Sequence, residues 1–386
     1  MNRIYVDNAA TTKIEDRVFE AMLPYLKEEY GNASSIYSLG KNAKSAIEKA
    51  RVQVAKVLNC DTNEIIFTGS GTEANNMVLN CVKKGHIITS KIEHPAILET
   101  CKHLEKQGVK VTYINVDEDG TVDFDELKNS IREDTTLISI MFANNEIGTI
   151  QPIKEIGEFA KKHNILFHTD AVQAVGNIDI DVKKLNIDLL TLSAHKFNGP
   201  KGVGALYIKK GTKLTPFIHG GHQENNKRAG TENVAGIVGL GASIELAYKD
   251  ISAHNKHLLS LRDYYFEQIK KRIPHIKING HLKNRLPGNA NISFRFIEGE
   301  GILLGLDQKG VCASSGSACT SGSLDPSHVL LAIGLSHELA HGSLRVTFGK
   351  YNTKEEVDYV VNELEMIIKN LRNMSPLYEK FLEEEK

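Results

Sequence analysis

The chain has 386 residues, 25% of them charged, and its 47 basic and 48 acidic side chains leave a formal net charge of −1. That length exceeds one ordinary hydrophobic core, so two domains are expected. The balanced charge offers no electrostatic footprint for nucleic acid or a membrane surface. Five cysteines without a C-x-x-C pair argue against a disulfide framework or a zinc ribbon. The N-terminus shows no apolar signal-peptide core, and no window approaches the ~18 apolar residues of a membrane span, so a reducing cytoplasm is the expected setting.

Apolar residues recur at helical spacing over 41–59, which predicts an amphipathic helix. Strands are then predicted at 65–67, 86–90, 109–116, 135–142, 165–171, 188–194 and 203–208. Helical patterns lie between most of them, among them 73–83 and 153–163. That alternation is the signature of an α/β domain with a mainly parallel, seven-stranded sheet covered by helices. After about Ala253 the pattern changes. A long helix at 254–272 leads to strands at 276–278, 289–295 and 343–348, with helices at 300–308 and 353–373. This reads as a smaller α+β domain, punctuated by Pro287, Gly288 and Pro326. No internal repeat is evident, and the acidic tail Glu383-Glu384-Glu385-Lys386 reads as a solvated helix end.

Four segments carry chemistry. The strand 188–192 breaks into Ser193-Ala194-His195-Lys196, delivering a lysine off the end of an apolar run. Burying an ammonium depresses its pKa, as a Schiff-base lysine requires; the alternative is a surface lysine after a strand. Asp170 ends the strand at 165–171 among apolar neighbours. A carboxylate there needs a partner, either a protonated ring nitrogen, as in pyridoxal-phosphate (PLP) enzymes, or the N-terminus of a following helix, which it would cap. The run Thr68-Gly69-Ser70-Gly71-Thr72 stands between a strand and a helix, where free N–H groups suit a phosphate. It is neither a Walker loop nor a dinucleotide fingerprint, and this argues against an NAD-binding protein.

The fourth segment is Ser314-Ser315-Gly316-Ser317-Ala318-Cys319-Thr320-Ser321-Gly322-Ser323. A cysteine set among small polar residues is a candidate reactive thiol, whereas Cys312 at the end of an apolar stretch reads as structural. His219 and His222 flank a glycine pair and read as loop residues rather than metal ligands. Ligands of parallel sheets bind at the carboxyl ends of strands, where the Gly-Thr turn, Asp170 and Lys196 all fall.

With these residues the chain resembles the cysteine desulfurases of the NifS/IscS type, PLP enzymes of fold type I related to class V aminotransferases. The likeness runs from Tyr5-Val6-Asp7-Asn8-Ala9-Ala10-Thr11-Thr12 through Asn144-Asn145-Glu146-Ile147-Gly148 and Arg228-Ala229-Gly230-Thr231-Glu232-Asn233 to Ser343-Leu344-Arg345-Val346-Thr347-Phe348. It implies a large PLP-binding domain at 14–253 and a small domain formed by 1–13 and 254–386, with the active-site cysteine loop at about 312–327. By resemblance, Lys196 would carry PLP and shuttle protons, Asp170 would keep the pyridine nitrogen protonated, and Gln173 would bond the phenolic oxygen. His94 would stack on the ring and serve in proton transfer, against the plain alternative of a helix-start histidine.

Gly71, Thr72, Ser193 and His195 would cradle the phosphate, with Thr231 reaching in from the other subunit of a homodimer. Asn145, also counted among the cofactor-binding residues, and Arg345 would hold the substrate, since a guanidinium matches a carboxylate bidentately. Cys319 would be the nucleophile, taking sulfur from L-cysteine as a persulfide and leaving alanine, with His94 or the substrate's own proton traffic activating it. An iron–sulfur scaffold or another acceptor protein would take the sulfur. Cys319 would be the thiol that meets a cluster during transfer, and no resident metal is expected. Lys13 and Tyr37 depart from the pattern, standing where proline and histidine are expected. An aminotransferase has no use for the loop thiol, a selenocysteine lyase shares the site, and a non-catalytic sulfur carrier would not keep Lys196, Asp170 and His94.

Overall fold

The computed structural model describes residues 3–315 and 326–384. Seven strands form its main sheet: β1 (Ile65–Thr68), β2 (His86–Ser90), β3 (Lys110–Ile114), β4 (Thr135–Ser139), β5 (Leu166–Asp170), β6 (Leu189–Ser193) and β7 (Gly204–Ile208). Their order is β1-β7-β6-β5-β4-β2-β3. Strands β2 to β6 are parallel to their neighbours among themselves. β7 runs antiparallel to both β6 and β1. That reversal follows from the lysine turn: a connection of some ten residues without a crossover helix can only return the chain antiparallel.

The flanking helices are α1 (Asp16–Lys27), α2 (Ser38–Leu58), α3 (Gly71–Leu79), α4 (Pro95–Lys106), α5 (Ile153–Lys162) and α6 (Val234–Lys249). Successive strand residues serve opposite faces, as the period of two requires. Phe67, Ile88 and Leu190 pack with α2, α5 and α6, while Ile66, Ile87 and Leu189 pack with α3 and α4. The sheet is therefore buried on both sides, the usual state of parallel strands. Ser70 caps α3, its side chain accepting from the Glu73 N–H, which starts the helix two residues earlier than the apolar pattern indicates.

A second core lies around α7 (Ile251–Arg272), α8 (Gly299–Gln308) and α9 (Lys354–Asn373). These pack on three antiparallel strands, β8 (Ile276–Ile278), β9 (Asn289–Phe294) and β10 (Ser343–Thr347), in the order β10-β9-β8. The N-terminus joins this part, with Ile4–Tyr5 paired in parallel with Val311–Cys312 and Val6 fully buried among its apolar residues. A last helix, α10 (Pro376–Glu384), reaches Glu383 and Glu384. The predicted strand at 135–142 ends at Ser139, and the residues after Asp170 form turns rather than a helix. No described helix is long and apolar enough to cross a membrane.

Candidate active site

The carboxyl ends of β5 and β6 meet the N-terminus of α3, and the groups at that edge form the floor of a crevice. Asp170 is buried, its Oδ2 accepting from Asn75 Nδ2 at 2.7 Å and its Oδ1 from the Val172 N–H at 3.0 Å. It thus caps the following turn, yet a carboxylate offers about four lone-pair sites and two remain for a further donor. Asn75 comes from α3, one turn beyond Gly71. Gly71 has to lack a side chain, because a Cβ there would fall 2.8 Å from Val172 Cγ2. The backbone of the helix start can therefore lie directly against the strand ends, with buried Ser193 beside it and Thr72 exposed above it.

Lys196 leaves β6 through a short 3-10 turn, and its Nζ donates to the carbonyls of Ala9 at 2.6 Å and Ala10 at 2.7 Å. Burial pushes its pKa down to about 8, with Arg345 pushing the same way and Asp7 and Asp170 opposing. About a tenth of the amine is therefore unprotonated at pH 7, far more than for an ordinary lysine, which is the direction a nucleophilic lysine needs. The segment 9–13 clasps the turn: Thr12 donates to the His195 carbonyl, and Gln173 Nε2 donates to the Ala9 carbonyl at 2.9 Å. His195 Nδ1 lies 3.1 Å from Thr11 Oγ1, and burial with Lys196 beside it holds this imidazole neutral, with a pKa of about 4.

His94 is the N-cap of α4 ahead of Pro95, its Nδ1 accepting from the Ala96 N–H at 3.1 Å. That bond assigns the neutral tautomer: Nδ1 is the acceptor and Nε2 carries the proton. The ring is open to the crevice but surrounded by protein, and desolvation lowers its pKa. Protonating Nδ1 would also break the cap. His94 is thus both the helix-start residue and a ring facing the site, suited to stacking and to donating from Nε2. The expectation that it serves as the base for a thiol does not fit this tautomer. Beneath it Glu93 is fully buried, with Oε1 accepting from Ser90 Oγ at 2.7 Å and the Met141 N–H at 2.9 Å. Its Oε2 has no partner among the described residues, and desolvation raises the carboxyl to about 8.

The rim opposite is built by the second core. Arg345 on β10 pairs with Asp7 at 2.9 Å and donates from Nη1 to the Asn145 carbonyl at 3.1 Å. Asn145 meets it through its backbone. Next to it Glu146 is buried and accepts from Ser327 Oγ, and burial raises its carboxyl to about 7. Cys319 lies outside the described residues, but both of its flanks are fixed here: Ser314 donates to Asp7 at 2.8 Å, and Ser327 donates to Glu146. Thr231 is exposed, three residues beyond Arg228, whose guanidinium pairs with Glu73 of α3 at 2.8 Å. Asn75, Asp7, Glu93 and the Ala9 and Ala10 carbonyls were not singled out from sequence. For Asn75 a signal existed, since it falls one helical turn after the Gly-Thr motif.

A buried acid with lone pairs to spare, a lysine of depressed pKa, an open imidazole face and a helix N-terminus stripped of side chain together fit PLP: ring nitrogen, aldehyde, ring face and phosphate each find a group. The fold and site are those of a PLP-dependent transferase of fold type I. The family model described as Aminotransferase class-V matches residues 4–360. The chain is 56% identical to cysteine desulfurase IscS of Dictyoglomus turgidum, covering 97% of this chain and 96% of that protein. It is 57% identical to IscS of Methanosarcina thermophila, over 98% and 95% of the two chains. Among solved structures, a NifS-like protein matches with a TM-score of 0.90 at 42% identity, covering 96% of this chain and 100% of the other. The NifS-like protein of Rickettsia africae matches at 0.88 and 35%, over 95% and 100%. The chain belongs to the aminotransferase class-V family and, within it, to the cysteine desulfurases of the IscS and NifS type. Its cofactor is pyridoxal phosphate, on which this family depends.

Proposed function

We propose that this chain is a cysteine desulfurase that takes L-cysteine, releases L-alanine and holds the sulfur on Cys319 as a persulfide for an acceptor protein. The observation that carries the reading is the placement of Lys196 and Arg345 in one crevice whose rim anchors both flanks of the Cys319 segment. Bound PLP supplies an electron sink for the bonds around the substrate Cα.

The residues divide the remaining work. Asp170, held by Asn75 and Val172, favours a proton on the ring nitrogen opposite it. Gln173 points its amide along the same wall, where its bond to the Ala9 carbonyl leaves a second N–H for the ring oxygen. Ser193, His195, Thr72 and the first N–H groups of α3 suit the phosphate. Lys196, poised near neutrality, moves a proton between its Nζ and the substrate Cα. Arg345, with Asn145 beside it, binds the substrate carboxylate.

Cys319 as thiolate forms the S–S bond while the substrate Cβ–S bond breaks, and the carbon takes the electron pair and then a proton to become alanine. Cys319 lies five positions after Ser314, a span of at most roughly 18 Å, so the thiol stays within reach of the rim. An exposed thiol of pKa ~8.5 is only a few per cent thiolate at pH 7. Since His94 Nε2 already carries a proton, the thiol proton goes instead to the substrate or to water.

Residues 14–253 constitute the PLP-binding domain, and 1–13 with 254–386 the smaller one; the separate core around α7 and α9, which includes Val6, supports that division. A homodimer is the working form. The exposed apolar side chains Phe19, Leu23, Leu26, Tyr30 and Ile36 suit a partner copy, and exposed Thr231 suits a phosphate in that copy's site. A free loop thiol requires a reducing compartment such as the cytoplasm, where an iron–sulfur scaffold is a fitting acceptor.

The test is sulfide and alanine release from L-cysteine with dithiothreitol, comparing the protein with Cys319→Ala after both show the cofactor absorbance. Equimolar products lost in the variant are expected. Undiminished alanine release by the variant would overturn the role of Cys319 and favour a lyase.

A further inference from the structure

Arg345 is placed to receive a carboxylate, yet it already faces one. Asp7 lies beside β10 through a bridge to Thr347, and its Oδ1 accepts from Arg345 Nη2 at 2.9 Å. Its Oδ2 accepts from Ser314 Oγ at 2.8 Å. The two side chains are only 14% and 9% exposed, so Asp7 is pinned at both oxygens and has no solvent to turn into. Arg345 spends a second donor on the Asn145 carbonyl and keeps a buried Nε–H without a partner among the described residues. A guanidinium has five N–H donors, and among the described residues two are engaged. An incoming carboxylate can therefore bond to Arg345 while Asp7 stays where it is.

The charges then decide what binds well. A simple carboxylate meets a neutral pair, its attraction to Arg345 offset by repulsion from Asp7. A zwitterionic amino acid brings an ammonium as well, and the amine that reacts in this site has to approach Lys196 Nζ. The Asp7 charge reaches that position, where it opposes deprotonation of the lysine while Arg345 favours it. An ammonium there recovers the repulsion that the carboxylate suffers.

We propose that Asp7 is a specificity-determining residue, fixed between Arg345 and Ser314 so that the site accepts zwitterionic α-amino acids and discriminates against carboxylates lacking the ammonium group. The inference rests on the reading of Arg345 as the group that binds the substrate carboxylate. It extends that reading from one residue to a charge pattern.

The test is equilibrium binding of L-alanine and of propionate, which differ by the ammonium group alone, to the PLP-loaded protein and to Asp7→Asn, followed by ligand-detected NMR. One charge removed at close range in a partly buried site is worth about tenfold in affinity or more. Asp7→Asn is therefore expected to bind propionate about tenfold more tightly, with alanine unchanged or weakened. A preference for alanine over propionate that stays within about twofold of the unmodified protein's would overturn the proposal.

Ser314→Ala keeps the charge and loses one anchor, and is expected to retain most of the preference. If it abolishes the preference as fully as Asp7→Asn does, the effect belongs to local structure and the proposal fails. Should Asp7→Asn not fold, the unmodified protein still decides: propionate is expected to bind no more than a few-fold better than neutral propionamide, where an unpaired arginine would favour the anion about thirtyfold or more. Propionate and propionamide carry no amine, and alanine, whose amine can join the cofactor, carries no sulfur to lose, so the outcome is independent of whether the chain desulfurates cysteine, which the product assay reads separately.

Discussion

The floor and the rim of the crevice are made differently. On the floor, Asp170, Ser193 and the start of α3 come from adjacent strand ends and the helix beside them, so the topology of one sheet brings them together. The rim is stitched from segments far apart in sequence: Asp7 to Arg345 across 338 positions, Ser314 to Asp7 across 307 and Ser327 to Glu146 across 181. The floor's charges are few, Asp170, Lys196 and the Glu73–Arg228 pair at the start of α3, whereas the rim is a chain of paired charges and hydroxyls. A sheet edge can hold a cofactor rigidly on its own. On the function proposed, the rim would grip a small zwitterion and anchor the Cys319 segment, and it draws its groups from both cores.

Breaking the floor is expected to have the largest effect. Asp170→Asn keeps the size of the side chain and its place beside Asn75 and Val172 but removes the charge proposed to hold the ring nitrogen protonated. A loss of about 10²- to 10³-fold in kcat is expected, the scale of removing one preorganised electrostatic group, with little change in melting temperature. Steady-state kinetics alongside the cofactor absorbance checks it; a kcat within tenfold of the unmodified protein would mean that the floor does not depend on this charge.

At the rim the expected effect is smaller and falls on binding. Arg345→Lys keeps a positive charge but replaces a planar fork by a single point, and the lysine is drawn to Asp7. The KM for L-cysteine is expected to rise about 10- to 100-fold while kcat changes much less. An equal fall in kcat with KM unmoved would place Arg345 in the chemistry rather than in substrate binding.

This contrast also explains what could be read from the sequence. The strand–turn–lysine pattern, the Gly-Thr turn and Asp170 are local signals, and the alternation of strands with helices places them at one edge. The reversal at β7 was hidden because strand direction is not written in apolar periodicity, only in the length of the connection. The clasp of Ala9 and Ala10 on Lys196 was equally hidden, since backbone carbonyls carry no residue signature. Asp7 lay inside a motif that pointed to the family but showed no partner, because its partner is at the other end of the chain. Glu93, ahead of a helix, carried no signal of its own. Its burial follows from the fold closing over Ser90 and Met141.

Glu93 and Glu146 sharpen the comparison with the smallest expected effect, read as stability against pH. In the folded chain Glu93 keeps its proton up to about 8, because desolvation outweighs the bonds from Ser90 and Met141; its ordinary value is 4.5. The unfolded chain releases that proton above its ordinary value, so between the two the folded state binds more protons than the unfolded one. The contribution is full below 4.5 and is lost as pH rises towards 8, at about 1.4 kcal/mol per pH unit for a single group. Glu146 acts in the same direction, but its window closes near 7. On the acid side the signs reverse: burial pushes His168 down to about 3, and Lys350, Tyr351 and Arg17 hold Glu15 near 2, so both lose stability as pH falls. Glu93→Gln is therefore expected to leave the acid limb alone and to flatten the alkaline one, by a few degrees of melting temperature between pH 5.5 and 8. Glu146→Gln is expected to flatten only the part below about 7. Melting curves across that range test both. A Glu93→Gln profile parallel to the unmodified protein's would mean that the acid under the floor is ionised, and that the floor is as charged as the rim.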